Sequence, residues 1–297
     1  MTDESSRRLL KACAAASFCT LASERAASET PIEEVVTVET RLDEDRFGIG
    51  EEVSISSADL AQTRPVDAEN LFRALSGFSI SRPGGPGGVS EVFLRGAESN
   101  FTAVDVDGVR LNDPANTRGG SFDFSSLGVF DIDRIDVSAG AMSAIYGADA
   151  MAGVVFIRSA WAEPGEPGVF LEAGSVDNWR IGAQASFALN DDTEWGVRVS
   201  SIDGGNEIDG SSLRLDSLAS RLVGSFSNGG AWQLNLRHVT RDRTSFPEVS
   251  GGPGIAVNRE LETADGDSLT LAAEGRWTVT NDWETDVYLN VSRIRDD

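Results

Sequence analysis

His238 and two groups of acidic residues are the side chains in this sequence that could most readily support chemistry. His238 is the only histidine, and one imidazole without a second metal ligand or an adjacent nucleophile forms neither a zinc site nor a catalytic triad. It continues the apolar face of a predicted strand, so we interpret it as an interfacial residue. No pair of carboxylates stands in an acid–base motif, and a secreted enzyme is therefore not predicted.

The acidic residues near the predicted long links of the second half form a candidate calcium site. If the strands that carry them are neighbours, their carboxylates would converge at one rim, and hard oxygen ligands are those that calcium prefers. A chain with 48 acidic residues also clusters carboxylates by chance, so both interpretations stay open. The candidate ligands are Asp203, Glu207, Asp209 and Asp242, with Asp216 nearby. No other cofactor is predicted.

Two further patterns are better explained by turns and loops than by ligand sites. Asp105 and Asp107 resemble the start of a calcium-binding EF-hand loop, but the later ligands and the terminal glutamate are missing. Asp107-Gly108 between two apolar runs instead predicts a hairpin, since a tight primed turn needs positive φ. Segment 82–90, RPGGPGGVS, has the glycines of a phosphate loop without the lysine and hydroxyl residue that should follow. We predict a flexible loop there and no nucleotide site.

The composition limits the classes of partner and of membrane segment. The chain has 297 residues, with 25 basic and 48 acidic side chains and a formal net charge of −23. A chain this acidic is not expected to bind nucleic acid. No run of about 18 uncharged apolar residues is present, so no transmembrane helix is predicted. Alternating strands can still cross a membrane, because their hydropathy signal per segment is weak.

Short apolar runs separated by glycine turns predict a small α+β unit in the first half of the chain. Three runs rich in Val, Ile and Phe are too short for helices and fit buried strands. Another strand and two short helices precede them, the first helix capped by Ser56 or Ser57 and the second ended by Gly77. The predicted strands are 53–55, 102–106, 132–137 and 154–157, and the second helix is 68–75.

Four motifs are concentrated in this unit. They read FLRG at 93–96, VDGVRLND at 106–113, IDRIDV at 132–137 and SAIYGADAMAGVVFI at 143–157. Together they resemble the plug domain of TonB-dependent outer-membrane receptors and are most similar to the vitamin B12 receptor subgroup. Two departures are local: Ala139-Gly140-Ala141 stands where the family commonly has Gly-Pro, and Ala152 where glycine is common. The resemblance implies a plug domain over residues 42–160.

The same resemblance implies where a ligand would bind. In the family, loops at the apex of the plug face the external ligand, and segments 82–90 and 112–124 match those loops. The candidate ligand-binding residues are Arg82, Ser90, Asn112, Asp113, Asn116 and Arg118. Polar residues of these types are equally common in solvated turns, so that interpretation stays open.

The first 41 residues predict an export signal followed by a segment that couples the receptor to TonB. Arg7-Arg8 precede a short apolar stretch with small residues at 26–28, so residues 1–28 are predicted to be an export signal, with a disordered N-terminus as the alternative. Cys13 and Cys19 would leave with a cleaved signal, and the mature chain would carry no thiol.

The segment 29–41 resembles a TonB box, because it lies directly before the plug. Its extended strand would pair with a free sheet edge of TonB in the periplasm. The coupling residues implied are Glu34, Val35, Val36, Thr37 and Val38. An ordinary edge strand is the alternative.

Residues 161–297 alternate apolar and polar side chains at period two. After the second predicted strand, short turns alternate with long links, which is typical of a membrane barrel with short periplasmic turns and long external loops. The short turns are 190–193, 228–230 and 280–282, and the long links are 204–213 and 243–266. Trp195, Trp232, Trp277 and Trp283 flank the short turns, where indoles can face both lipid and headgroups. The seven predicted strands are 168–175, 179–189, 194–203, 214–227, 231–242, 267–279 and 283–293.

These features predict an α+β plug domain followed by antiparallel transmembrane β-barrel strands, with the barrel incomplete in this chain. Barrels of this family have about 22 strands, and seven cannot close around a plug, so we expect an N-terminal fragment or an incomplete gene product. The resemblance implies an outer-membrane receptor, surrounded by lipid, for active uptake of cobalamin or a ferric siderophore. TonB would supply the energy of the inner-membrane proton gradient. A passive porin or a surface adhesin is the alternative.

Overall fold

The computed structural model describes residues 51–296, except 64–66, 74, 115, 117, 130–131, 176, 206–207, 227–229, 247–259 and 281–282. The predicted export signal, the predicted TonB box with Glu34–Val38, and Glu207 lie outside these described residues. Within them, the chain forms an α+β plug and a sheet of long antiparallel strands that we call the wall.

The plug begins with a strand and two short helices. Strand β1 is Glu51–Ile55, helix α1 is Ser57–Thr63 and helix α2 is Ala68–Arg73. Ser56 is the N-cap: its hydroxyl and backbone N–H both donate to Asp59 Oδ2, at 2.7 and 3.0 Å, and the Asp59 N–H donates back to Ser56 Oγ at 3.3 Å. This reciprocal pair explains why the helix begins there. Helix α2 ends two residues before the predicted limit of 75.

The remaining plug elements build one mixed sheet and a small hairpin. They are β2 (Phe78–Ser81), β3 (Glu91–Leu94), β4 (Thr102–Val106), β5 (Val109–Arg110), β6 (Ile132–Ala139), α3 (Ser143–Tyr146) and β7 (Gly153–Ser159). The main sheet has the order β1-β6-β7-β4-β5, and β4 and β7 run parallel. Its core side chains are fully buried, among them Phe72 of α2, Ile135 and Val155.

The hairpin predicted from Asp107-Gly108 is confirmed. Val106 pairs with Val109 across a two-residue turn, and both turn residues have positive φ, 51° and 82°. Asp105 Oδ1 accepts from the Gly108 N–H at 2.8 Å, and the Asp107 carboxylate accepts from the hydroxyl and N–H of Ser159 at 2.6 and 2.9 Å. Both carboxylates therefore stabilise the turn and its attachment to β7.

Seven strands in sequence order form the wall. They are β8 (Gly168–Ala173), β9 (Trp179–Asn190), β10 (Thr193–Asp203), β11 (Ser212–Ser225), β12 (Ala231–Ser245), β13 (Glu262–Thr280) and β14 (Trp283–Asp296). Each pairs antiparallel with the next, and the sheet is open between β8 and β14. All seven predicted strands are confirmed, with ends that differ by up to five residues.

The two faces of the wall have the reverse polarity of a water-soluble sheet. The outer face exposes large apolar side chains, among them Val169, Leu171, Ile181, Phe187, Val199, Leu234, Leu271, Leu289 and Val291. The inner face buries polar ones against the plug, among them Arg180, Ser186, Arg198, Arg241 and Thr270. A continuous exposed apolar face indicates lipid contact. Among the described residues, no helix is long and apolar enough to cross a membrane.

Candidate functional site

The two apical segments of the plug lie at the end of the wall that carries the long links. The Phe246 N–H donates to the Gly84 carbonyl at 3.3 Å, and the Gly87 N–H donates to Ser211 Oγ at 3.1 Å. A Cβ on Gly87 would lie 2.2 Å from the Thr244 carbonyl oxygen, so only glycine allows this approach. Segment 82–90 therefore packs against the wall, and the flexibility predicted from its composition stays a prediction.

Arg82 and Ser90, at the two ends of this segment, hold it to the rest of the plug. Arg82 pairs with Asp67 at 3.0 Å and with Glu69 at 2.9 Å, both at the start of α2. Ser90 is 2% exposed, and its N–H donates to Asp123 Oδ1 at 3.0 Å. Both residues also line a cavity between α2, Phe124 and strands β9–β11.

Asn112 organises the second apical segment from inside the plug. Its Oδ1 accepts from the Val104 N–H at 2.7 Å, and its Nδ2 donates to the carbonyls of Thr102 and Gly120 at 3.1 and 3.0 Å. The residue is buried, with three hydrogen bonds to backbone groups. Its geometry is that of a loop-stabilising amide, and its contact with a ligand stays a prediction.

Asp113 and Asn116 line a cleft between the second apical segment and strands β12–β14. Asn116 shapes its own turn, since its Oδ1 accepts from the N–H groups of Arg118 and Gly120 at 3.0 and 2.9 Å. Arg118 lies 3.4 Å from Glu91 on β3. The wall contributes Arg237, Arg241 and Thr270 to the same cleft. The cleft thus brings together two of the six predicted ligand residues with polar residues of the wall.

Asp123 is the central residue of this region, and the sequence did not single it out. Its Oδ1 accepts from the N–H groups of Ser90 and Ser125, at 3.0 and 2.9 Å, and its Oδ2 accepts from Arg241 and Arg243 of β12, at 2.9 and 3.1 Å. One carboxylate thus connects both apical segments to the wall. One feature of the sequence could have indicated the contact with the wall. In β12, arginines recur at 237, 241 and 243, on the face opposite Trp232 and Leu234.

A second contact fixes the segment that leaves the plug. The guanidinium groups of Arg198 and Arg221 both lie over the Trp161 ring, 5.0 and 5.1 Å from the ring centroid. Arg198 also donates to the Ala160 carbonyl. A Cβ on Gly196 would lie 2.8 Å from the Trp161 ring, so the glycine makes room for the indole. This contact lies towards the short turns, at the opposite end of the wall from Asp123.

The predicted calcium ligands are only partly described. Asp203 Oδ1 accepts from the Gly205 N–H at 2.9 Å, and Asp216 accepts from Ser201 and pairs with Arg214. In the part of the chain that the structure describes, no three His, Cys, Asp or Glu side chains are grouped for a metal ion, so Asp203, Asp209 and Asp242 do not form a set by themselves. Because Glu207 is outside the described residues, calcium binding stays a prediction.

His238 lies on the outer face of β12, as the alternation predicted. Its Nε2 is 2.7 Å from Asp267 Oδ2 on β13, and both side chains are partly exposed. The pair lies on the outer-face rows that contain Leu236 and Leu269, towards the long links. This position agrees with an interfacial residue.

Comparison with known proteins identifies the family. The model of the TonB-dependent Receptor Plug Domain matches residues 49–154. Residues 49–154 are therefore a plug domain of the TonB-dependent receptor family. The strands that follow this plug have the fold of the barrel strands of such receptors, which are outer-membrane proteins, and the exposed apolar face of the wall is the surface that such a location requires.

Curated relatives are similar over most of this chain. The chain is 32% identical over 212 residues to the vitamin B12 transporter BtuB of Vibrio vulnificus, which covers 66% of this chain and 34% of that protein. It is 29% identical over 239 residues to the vitamin B12 transporter BtuB of Vibrio cholerae, covering 76% of this chain and 39% of that protein. The chain therefore spans little more than a third of the length of these relatives.

Solved structures support the fold. The ferric yersiniabactin uptake receptor FyuA of Yersinia pestis superposes with a TM-score of 0.63 over 84% of this chain and 41% of its own, at 16% identity. The ferric-catecholate import receptor Fiu of E. coli superposes with a TM-score of 0.62 over 83% of this chain and 39% of its own, also at 16% identity. Because the sequence identity is this low, these structures support the plug-and-wall architecture and nothing more specific.

Proposed function

We propose that this chain is part of a receptor that takes up a scarce external ligand across the outer membrane, using energy delivered by TonB. The observation that carries the proposal is the position of the apical segments: 82–90 and 112–124 both contact the wall at the end with the long links. A ligand that arrives through the external loops would reach these segments first. Membership of the receptor family supports the same direction of transport. No enzymatic activity is proposed.

Cobalamin is the ligand that we propose, because the curated relatives with 29–32% identity are vitamin B12 transporters. A ferric siderophore is the second candidate, since the superposed structures are siderophore receptors. We favour cobalamin because the chain is 29–32% identical to the vitamin B12 transporters and 16% identical to the siderophore receptors. The cleft lined by Asp113, Asn116 and Arg237 is the proposed contact surface in this chain.

Coupling to TonB would use the extended segment before the plug. Residues Glu34–Val38 alternate in a way that suits strand addition to a sheet edge. Ligand binding would favour the population in which this segment is available to TonB, and a pull on it would rearrange the plug. Such a mechanism needs no nucleotide site.

Uptake of labelled cyanocobalamin by cells that depend on the gene encoding this chain tests the proposal. Deletion of residues 35–38 should abolish uptake while surface binding persists, because binding uses the apical segments and energy coupling uses the N-terminal segment. A matched deletion of residues 42–45, between the predicted TonB box and β1, controls for chain shortening. Undiminished uptake without residues 35–38 would favour the passive porin and would contradict the proposal.

A further inference from the structure

We propose that Asp123 is a releasable tether, a positioning residue that holds both apical segments of the plug against β12 and must separate from Arg241 and Arg243 before the plug can rearrange. This inference rests on the proposed uptake function, because release is needed only if the plug moves. It is independent of the identity of the ligand. The contact between Trp161 and the wall is the fixed anchor from which such a movement would start.

The two carboxylate oxygens of Asp123 bond to different parts of the molecule, one to the plug and one to the wall. Among the described residues, Oδ1 accepts backbone N–H groups of the plug, from Ser90 and Ser125, while Oδ2 accepts from the guanidinium groups of Arg241 and Arg243 on the wall. The first pair fixes the carboxylate and both apical segments relative to each other. The second pair can therefore break without disturbing the internal geometry of the plug.

The side chains of this ion pair are largely but not completely buried, which suits a contact that holds the plug to the wall and can also break. The side chain of Asp123 is 17% exposed, and those of Arg241 and Arg243 are 9% and 16% exposed. Charged hydrogen bonds at this depth are screened less by salt than surface pairs, so they contribute measurably to the position of the plug. They keep enough contact with solvent for water to replace them.

The residues of the tether also line the proposed ligand cleft. Asp123 and Arg241 line that cleft together with Asp113 and Asn116. A ligand in the cleft would therefore touch the ion pair directly. The guanidinium group of Arg241 therefore has two roles: it lines the proposed ligand cleft, and it pairs with Asp123 of the plug.

The Trp161 contact differs in kind and in place. An indole in contact with two guanidinium groups and packed against Gly196 relies on shape and cation–π attraction, in addition to the Arg198 bond to the Ala160 carbonyl. It holds the chain segment that continues covalently into β8. This end of the plug cannot leave the wall. The contacts described at the apical end are all non-covalent: the Asp123 ion pairs, the backbone bond from Phe246 to Gly84, and the bond from the Gly87 N–H to Ser211 Oγ.

Thiol labelling at position 90 tests the tether without any ligand. Ser90 is 2% exposed, and its hydroxyl has no hydrogen-bond partner among the described residues, so Ser90→Cys introduces a buried probe at little cost. The background carries serine at positions 13 and 19, and the protein is kept in outer-membrane vesicles. The rate of reaction with a bulky maleimide then reports opening of the apical segments.

Asp123→Asn should increase the labelling rate about tenfold, because the amide can keep the bonds to Ser90 and Ser125 but loses the charge that pairs with both arginines. Arg241→Gln combined with Arg243→Gln should produce the same increase from the wall side, without changing the plug. Asp123→Glu should restore slow labelling. Asp149→Asn, which removes a carboxylate paired with Arg110 inside the plug, is the matched control and should leave the rate unchanged.

Labelling of Asp123→Asn and of the double arginine variant at the rate of the parent would overturn the tether. Equal acceleration by Asp149→Asn would also overturn it, since the effect would then be general loosening of the plug. Failure of cyanocobalamin to bind, with the labelling pattern as expected, would reject the proposed ligand and leave the tether intact.

Discussion

At the scale of single residues, the plug is stabilised by side chains that hydrogen-bond to nearby backbone groups. Ser56 and Asp59 cap α1, Asn112 bonds three backbone groups, and Asp107 holds β7. Each of these residue types satisfies backbone donors or acceptors that the short elements leave open. The plug therefore depends on a few polar positions as much as on its apolar core.

The N-cap of α1 makes a prediction about pH. Hydrogen bonds from the Ser56 hydroxyl and N–H lower the pKa of the Asp59 carboxyl below its ordinary value. A carboxyl whose pKa is depressed by folding stabilises the helix above its ordinary pKa, and this contribution is lost as the pH falls through the lowered pKa. In a carbon-13 NMR titration, Ser56→Ala should raise the pKa of Asp59 towards the ordinary value, while Ser56→Thr, which keeps the hydroxyl, should not. A titration unaffected by the loss of the hydroxyl would contradict the cap.

Gly153 at the start of β7 makes a prediction about packing. Its φ is +155°, and a Cβ there would lie 2.4 Å from the Ser138 carbonyl oxygen and 2.7 Å from the Leu94 side chain. Gly153→Ala should lower the free energy of unfolding by about 1–3 kcal/mol more than Gly96→Ala, which also has positive φ but has open space around it. Urea unfolding in detergent measures both. Equal midpoints for the two variants would show that the clash is absorbed.

At the scale of elements, the sequence predicted the strands well, and the contacts between plug and wall poorly. Alternation at period two located all seven wall strands, because each strand has one lipid-facing apolar side and one polar side. Asp107-Gly108 located the hairpin, because few other residue pairs accept positive φ at both positions. The roles of Asp123 and Trp161 could not be predicted in this way, since they depend on which wall strand faces which plug loop.

The predicted ligand-binding residues show the same limit of prediction from a single sequence. Arg82 and Asn112 are polar residues in predicted loops, which is what a ligand site requires, yet their side chains are engaged with Asp67, Glu69 and backbone groups of the plug. Asp113 and Asn116 do line the cleft. A single sequence shows residue type and spacing, whereas the direction of a loop side chain is set by tertiary contacts.

The segment that leaves the plug makes a prediction at this scale. Trp161→Leu should weaken the anchor by roughly 1 kcal/mol, the size of a cation–π contact, and should speed cleavage at Glu163 and Glu166 by a glutamate-specific protease about fivefold. Trp195→Leu, which changes an indole on the outer face of β10, is the matched control and should leave this cleavage unchanged. Cleavage of both variants at the parent rate would show that the indole does not hold the linker.

At the scale of the whole molecule, the wall is adapted to lipid on one side and to the plug on the other. Leu271 is 50% exposed in the middle of the outer apolar face, and Leu261 is exposed directly before the first residue of β13, in the long link. Leu271→Arg should destabilise the protein in membranes by about 2–4 kcal/mol, whereas Leu261→Arg should cost about 0–1 kcal/mol, because the penalty falls towards the interface. Urea midpoints in lipid vesicles measure the difference. Equal midpoints would contradict the lipid-facing assignment of the outer face.

The apical segments of this plug are proposed to bind an external ligand for uptake. The most direct test is binding of labelled cyanocobalamin, against a panel of ferric siderophores, to outer-membrane vesicles from cells expressing the gene that encodes this chain. We predict tight cobalamin binding that is lost when segment 112–124 is exchanged for an unrelated polar loop and is retained when the turn 191–192 at the opposite end is exchanged. Binding of a ferric siderophore in its place would keep the receptor and change its ligand. Binding that survives exchange of both segment 82–90 and segment 112–124 would contradict this role of the apical segments.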